Sequence, residues 1–304
     1  MHSLFATIFE PGFFASAPVH TAMIVGGGAA VVSAVVGVFT VMRGQSFAGH
    51  ALADVSSAGG SASFLLGVKP LLGFLGMAVI AAGGMELAGA RHVRERDLVT
   101  GVMTGAGLGL AALFLYFDVT SMNTTGAAIT IMFGSMFSIP SSIIPLSLAV
   151  GLAALAISAL IYRPLLLTSL SRDLAAVRGA PVRLTELLHM LVLASAVSLS
   201  AMTVGAILST ALLIGPAATA LRLTKRPIWT ILVAALIGLV ATWGGILLAY
   251  DSYYWTSDHG WPVSFFIVSL VFALYLVVAV IPGPRREPKP GAAMPGEVGG
   301  ESGS

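Results

Sequence analysis

Runs of about 20 mostly apolar residues recur along this chain of 304 residues, and they constrain its fold more than any other feature. A helix of that length spans the hydrocarbon core of a bilayer, where every backbone N–H and C=O group needs a partner within the protein. The chain contains 15 Lys and Arg and 13 Asp and Glu residues, far fewer charges than a soluble domain carries. The sequence therefore predicts an all-α, polytopic protein of the cell membrane.

Six segments are clear candidates for membrane-spanning helices, and two segments are weaker candidates. One weak segment, 48–66, is rich in Gly, Ala and Ser. The other, 187–220, is long enough for two short passes, with interruptions at Gly205 and at Gly215-Pro216. Residues 127–137 are too few to span and indicate a half-helix or part of a bent segment, so we expect a bundle of eight or nine transmembrane helices. The clear candidates are 21–42, 70–87, 98–117, 143–162, 227–250 and 262–280.

Basic residues concentrate in the short loops between these segments, which is typical of cytoplasmic loops. The alternate segments 1–20, 118–126 and 251–261 contain no Lys or Arg, so we expect them outside. The organisation predicted is an external N-terminal segment 1–20, a transmembrane domain 21–281 and a Pro- and Gly-rich cytoplasmic tail 282–304, which we expect to be disordered.

Several classes of protein are excluded by the sequence. The net charge is +2 without a basic face, which argues against nucleic-acid binding, and the absence of cysteine excludes disulfides and thiolate metal ligands. No Gly-x-x-x-x-Gly-Lys-Ser/Thr motif occurs, so the chain cannot hydrolyse ATP through a P-loop. No His-Glu-x-x-His motif occurs either, which argues against a zinc protease.

The candidate site for chemistry is a pair of ionisable residues, His50 and Asp54, in the weak segment 48–66. Residues four apart share one face of a helix, so both side chains can reach one ion. Imidazole and carboxylate suit zinc, manganese or ferrous iron. Ionisable groups next to membrane spans often mark ion paths. The spacing alone favours a structural role for the pair, either a buried hydrogen bond that joins two helices or an interfacial pair hydrated at the headgroups.

Three stretches of the chain resemble the zinc/manganese ABC-3 family, the permeases of metal importers. The stretch 38–54 is similar to the family's valine-rich helix end, arginine and Gly-Asp-Ala-Leu-Ser-His motif, with His50 at the family's Asp position and Asp54 at its His position. The stretch 204–220 resembles the family's glycine-opened helix ending in Pro-Ala-Ala-x-Ala. The stretch 245–254, followed by Pro262, is loosely similar to a third family pattern.

The resemblance implies the function of a short cytoplasmic helix at 171–182. In the family, this coupling helix sits in a cleft of the ATPase, and its pattern is an acidic residue, then Ala, then Gly. Here these positions are Asp173, Ala175 and Gly179, while Ser171 replaces an earlier family Asp. From the residues alone, the stretch predicts a short amphipathic helix at the membrane face, closed by Gly179 and followed by Pro181, and an ordinary charged loop is the alternative.

The resemblance further implies the permease subunit of an ABC importer, with no ATPase site and no cofactor of its own. It would work as a homodimer with two ATPase subunits, which use ATP, and an extracytoplasmic metal-binding protein that delivers zinc or manganese. Its metal ligands would be His50 and Asp54. Two alternatives remain: a secondary ion-coupled transporter or channel with a His/Asp site, and a membrane scaffold in which the pair is structural.

Overall fold

A computed structural model describes residues 13–88, 93–121, 126–255 and 260–280. Within these ranges the chain forms α-helices, short 3-10 turns and no strands, as the all-α prediction requires. The predicted tail 282–304 and most of the predicted external segment lie outside the described residues. The helices are α1 (Ala17–Met42), α2 (Ser46–Leu66), α3 (Pro70–Leu87), α4 (Val93–Ser121), α5 (Gly126–Phe133), α6 (Ile144–Leu160), α7 (Tyr162–Leu170), α8 (Arg172–Val177), α9 (Val182–Val204), α10 (Ala206–Leu223), α11 (Pro227–Trp255) and α12 (Val263–Val280).

Eight of the described helices, or parts of them, are long and apolar enough to cross a membrane. They are the six clear candidates together with α9 and α10, which confirms the predicted bundle and a multi-pass membrane protein. Helix α2 has 21 residues, enough to span, but it is less apolar than the eight. The first helix begins at Ala17 rather than residue 21, because Pro18 suits a first helical turn.

Helices α1 and α9 form the centre of the bundle. The apolar windows of these two helices are 72% and 78% buried, whereas those of the outer helices α4 and α12 are each 22% buried. Ser33 of α1 hydrogen-bonds across to Ser200 of α9 at 2.5 Å. Such bonds between membrane helices contribute roughly 0.6–2 kcal/mol. The interior therefore combines close packing with a few interhelical hydrogen bonds.

The predicted interruption at Gly205 is confirmed, since it separates α9 from α10 with φ 94° and ψ 157°. The interruption predicted at Gly215-Pro216 is wrong, because α10 continues through Pro216 to Leu223. Membrane helices tolerate proline where neighbours satisfy the freed carbonyl group. The predicted half-helix is α5, which ends at Phe133 and is followed by Gly134 with φ 74°. Gly134 and Gly205 pack backbone to backbone, so α5 sits against the break between α9 and α10.

One end of the bundle gathers the basic loops 43–45, 171–181 and 224–226, and we call it the basic end. Helix α1 ends there at Met42, just before Arg43, and α8 lies there between α7 and α9 in the chain. The helices pack side by side near this end through small residues such as Ala34 of α1, Ala220 of α10 and Ala234 of α11. The positive-inside rule predicts that this end faces the cytoplasm.

Candidate functional site

His50 and Asp54 lie one turn apart on the same face of α2, as their spacing predicts. Nε2 of His50 is 3.6 Å from Oδ2 of Asp54. The Asp54 side chain is 8% exposed, whereas that of His50 is 43% exposed. The carboxylate is therefore held inside the bundle, and the imidazole stands at the surface of the isolated chain.

The burial of Asp54 follows from the small residues around α2. Helix α2 packs chiefly against α3 and α4 and also contacts α9 and α10. Gly107 of α4 lies against the backbone of Val55, where an added Cβ would be 2.7 Å from the nitrogen and Cα of Val55. Gly59 of α2 and Gly73 of α3 touch backbone to backbone. Small residues permit this close approach of membrane helices, which shields a polar helix from lipid.

The pair on α2 is chemically suited to hold a divalent cation. Among the described residues, Oδ2 of Asp54 is buried and, apart from the nearby Nε2 of His50, has no polar partner, and a bound cation would satisfy it. With zinc-like bonds of about 2.1 Å, a separation of 3.6 Å between the two atoms gives an angle of roughly 120° at the ion. Two ligands are fewer than the four that zinc usually takes. Within the described ranges, no group of three or more His, Asp or Glu residues could complete the shell.

Helix α10, which carries the stretch 204–220, forms part of the wall behind this pair. A Cβ on Gly49, next to His50, would lie 2.8 Å from Cδ2 of Leu213. The carbonyl group of Leu213 in turn touches Gly37 of α1. Two of the stretches that carry the family resemblance, 38–54 and 204–220, are therefore in direct contact in the structure.

The second predicted site is the short helix α8 at the basic end. The Ser171 hydroxyl caps its start by accepting a hydrogen bond from the backbone N–H of Leu174. Gly179, with φ 77°, closes it, since the N–H groups of Gly179 and Ala180 donate to Ala176 and Ala175. This is the glycine-terminated cap expected from Gly179.

The three predicted coupling residues differ in accessibility. Asp173 and Gly179 are exposed, whereas Ala175 is fully buried against the rest of the chain. The exposed face of α8 also carries Leu174 and Val177, which are 60% and 85% exposed. Ala175 therefore holds α8 in place, and the other residues are available to a partner.

Sequence reasoning missed a cluster of charges that joins α8 to the rest of the basic end. Glu186 of α9 accepts from Nη2 of Arg43 at 3.3 Å and from Nη2 of Arg172 at 2.5 Å, both on the same carboxylate oxygen. Arg43 also donates to Gln45 at 3.2 Å and to Thr168 of α7 at 2.7 Å. A glutamate near the start of an apolar helix was the available signal, because buried charges need partners.

Comparison with known proteins gives consistent matches over most of the chain. The model of the ABC 3 transport family matches residues 17–281. The manganese import system permease protein ScaB of Streptococcus pneumoniae is 31% identical over 223 residues, which cover 73% of this chain and 77% of ScaB. The high-affinity zinc uptake system membrane protein ZnuB of Haemophilus influenzae is 26% identical over 226 residues, covering 73% and 85% of the two chains.

Two solved structures share the fold. A chain of PsaBC from Streptococcus pneumoniae in complex with Fab has a TM-score of 0.76 and 26% identity, covering 92% of this chain and 96% of its own. A metal-chelate type ABC transporter in an inward-facing conformation has a TM-score of 0.68 at 17% identity, covering 88% and 87%, and shows likeness of fold alone.

Proposed function

Because the chain belongs to the ABC 3 transport family, we propose that it is the permease subunit of an ATP-driven importer of manganese or zinc ions. The observation that carries this proposal is the His50–Asp54 pair on the enclosed helix α2, with a buried carboxylate oxygen that has no hydrogen-bond partner among the described residues. Relatives named for manganese and for zinc uptake support both metals as candidates.

His50 and Asp54 form the transient metal site of this proposed path. One copy of the chain supplies one imidazole and one carboxylate, and a second copy in a homodimer would double that set to four ligands. The exposed His50 side chain is accessible to such a second copy. A transport site must also release its ion, so weak or shared ligation suits transport better than a closed four-ligand site within one chain.

The energy for transport comes from a separate ATPase subunit, which docks on α8 at the cytoplasmic face. The chain has no P-loop motif, whereas α8 offers a short, capped helix with Asp173, Leu174 and Val177 exposed. An extracytoplasmic metal-binding protein delivers the ion at the opposite end. Rocking of the subunits then opens the site alternately to each side.

The function is tested by reconstituting the chain with its ATPase in liposomes, adding the extracytoplasmic metal-binding protein, and measuring uptake of manganese and zinc with radioactive tracers. We expect uptake that requires ATP and ceases when a non-hydrolysable ATP analogue is supplied. Uptake driven by a proton or sodium gradient without the ATPase would instead indicate the secondary transporter. Absence of uptake of either metal under all conditions would contradict both proposals.

A substitution on α8 tests the docking of the ATPase separately. Val177→Glu places a carboxylate on the exposed apolar face of α8, and burying an unpaired charge in an interface is costly. We expect co-purification of the ATPase to fall at least about tenfold. Lys225→Glu, an exposed position in another basic loop, is the control. Equal co-purification of both variants would mean that α8 is not the docking helix.

A further inference from the structure

We propose that Glu186 is a positioning residue that transmits movement of the docking helix α8 to α2, the helix that carries His50 and Asp54. The inference rests on the proposed function, since it assumes that an ATPase moves α8. This proposal gives a role to a cluster of charged residues that lies apart from the metal site. The cluster consists of Arg43, Glu186 and Arg172, and we call it the inner triad.

The inner triad joins three separate elements through one carboxylate oxygen. Arg172 is the first residue of α8, Glu186 lies in the second turn of α9, and Arg43 follows the last residue of α1. Oε1 of Glu186 pairs with both guanidinium groups. Displacement of Arg172 therefore changes the surroundings of the same oxygen that holds Arg43.

The burial of Arg43 and Glu186 makes the bond between these two side chains difficult to replace with water. The side chains of Arg43 and Glu186 are 5% and 10% exposed, and that of Arg172 is 37% exposed. A buried charge that loses its partner is strongly unfavourable, so the three groups tend to move together. Arg172 is the member nearest to solvent and to a docked partner.

From Arg43 the connection continues directly into α2. Nε of Arg43 donates to the side chain of Gln45, the residue that precedes the first residue of α2. The backbone N–H of Gly49 then donates to the carbonyl group of Gln45 at 3.1 Å. His50 is the next residue, so a shift of Arg43 acts on the turn of α2 that positions the imidazole.

A cavity beside the triad gives the cluster room to rearrange. Its volume is about 740 Å³, and Arg43, Arg172 and Glu186 line it together with Phe47 of α2. Closely packed interiors resist deformation, whereas open space at this point leaves room for the side chains of the triad to shift. The cavity therefore lies between α8 and α2, with the triad on its wall.

The test measures how many metal ions enter liposomes for each ATP hydrolysed by the full complex. Glu186→Gln keeps the size of the side chain but removes its charge. We expect ATP hydrolysis to stay within about threefold of wild type while uptake falls at least tenfold, so that the ratio of uptake to hydrolysis drops. Metal binding by the purified complex should be unchanged. Arg163→Ala, an exposed arginine on α7, is the control.

Arg172→Ala is a second test for the case that Glu186→Gln does not fold. Because Arg172 is partly exposed, its replacement should disturb folding less. Glu186→Gln and Arg172→Ala should each lower the ratio of uptake to hydrolysis, and Arg172→Lys should keep more of this ratio than Arg172→Ala does. The double variant Glu186→Gln/Arg172→Ala should have a ratio no lower than that of the poorer single variant, as expected for coupled residues. An unchanged ratio, or hydrolysis and uptake that fall in proportion, would overturn the proposal. If the wild-type complex moved no metal, the proposed function would fail instead.

Discussion

Replacing Asp54 with alanine is expected to reduce metal uptake by the reconstituted complex at least about 100-fold. Loss of groups that merely support a metal ligand already costs about 10–100-fold in affinity or activity, and Asp54 is proposed as a ligand itself. In a homodimer, the substitution removes two carboxylates from one path. Uptake of tracer manganese and zinc, together with metal binding by the purified complex, measures the effect.

Matched variants separate loss of a ligand from general damage. His50→Ala should give a similar loss, and Asp54→Asn should also fail, although it preserves the shape of the side chain. His20→Ala and Asp97→Ala remove the same side-chain types at exposed positions and should retain uptake. If Asp54→Ala and His50→Ala both retained uptake within about twofold of wild type, the assignment of the metal site would be wrong.

Replacing Gly205 with alanine is expected to lower the melting temperature of the detergent-solubilised protein by at least about 5 °C. The φ of 94° and ψ of 157° at Gly205 lie in a region where other residues are strained by about 1–3 kcal/mol. An added Cβ would also overlap the carbonyl oxygen of Met132 and lie 2.5 Å from the carbonyl carbon of Phe133. Overlap of this kind costs about 1–3 kcal/mol more.

Two other glycines distinguish these contributions. Gly44 has φ 64° but open space where a Cβ would be, so Gly44→Ala reports backbone strain alone. Gly105 lies within helix α4 in open space, so Gly105→Ala adds neither strain nor overlap. We expect the melting temperature to be highest for Gly105→Ala, lower for Gly44→Ala and lowest for Gly205→Ala. A Gly205→Ala protein as stable as Gly105→Ala would contradict the close contact between α5 and the break.

The helices could be predicted because the bilayer imposes a length and a composition that are visible in each segment separately. The break at Gly205 was also visible, because a glycine divides a segment too long for one pass. The break expected at Gly215-Pro216 is absent because proline inside a membrane helix depends on its neighbours, which the sequence does not reveal.

The site was predictable to the extent that its residues are close in sequence. His50 and Asp54 share one helix turn, so their proximity follows from helical geometry. Glu186 is 143 residues from Arg43, and nothing local indicates that they meet. Likewise, the close approach of α4 to the backbone of Val55, next to Asp54, depends on Gly107, which belongs to another helix. Contacts of this kind follow from tertiary packing, not from any local pattern.

The polar character of α2 also has a consequence for how the protein is made. A segment with His50, Asp54 and several serines is a poor substrate for the translocon, since an aspartate at mid-helix costs about 2.5–3.5 kcal/mol on insertion. Its neighbours α3 and α4 are synthesised afterwards, yet they supply the glycines that enclose it. We therefore expect α2 to insert stably only together with α3 and α4, so that its biogenesis is cooperative.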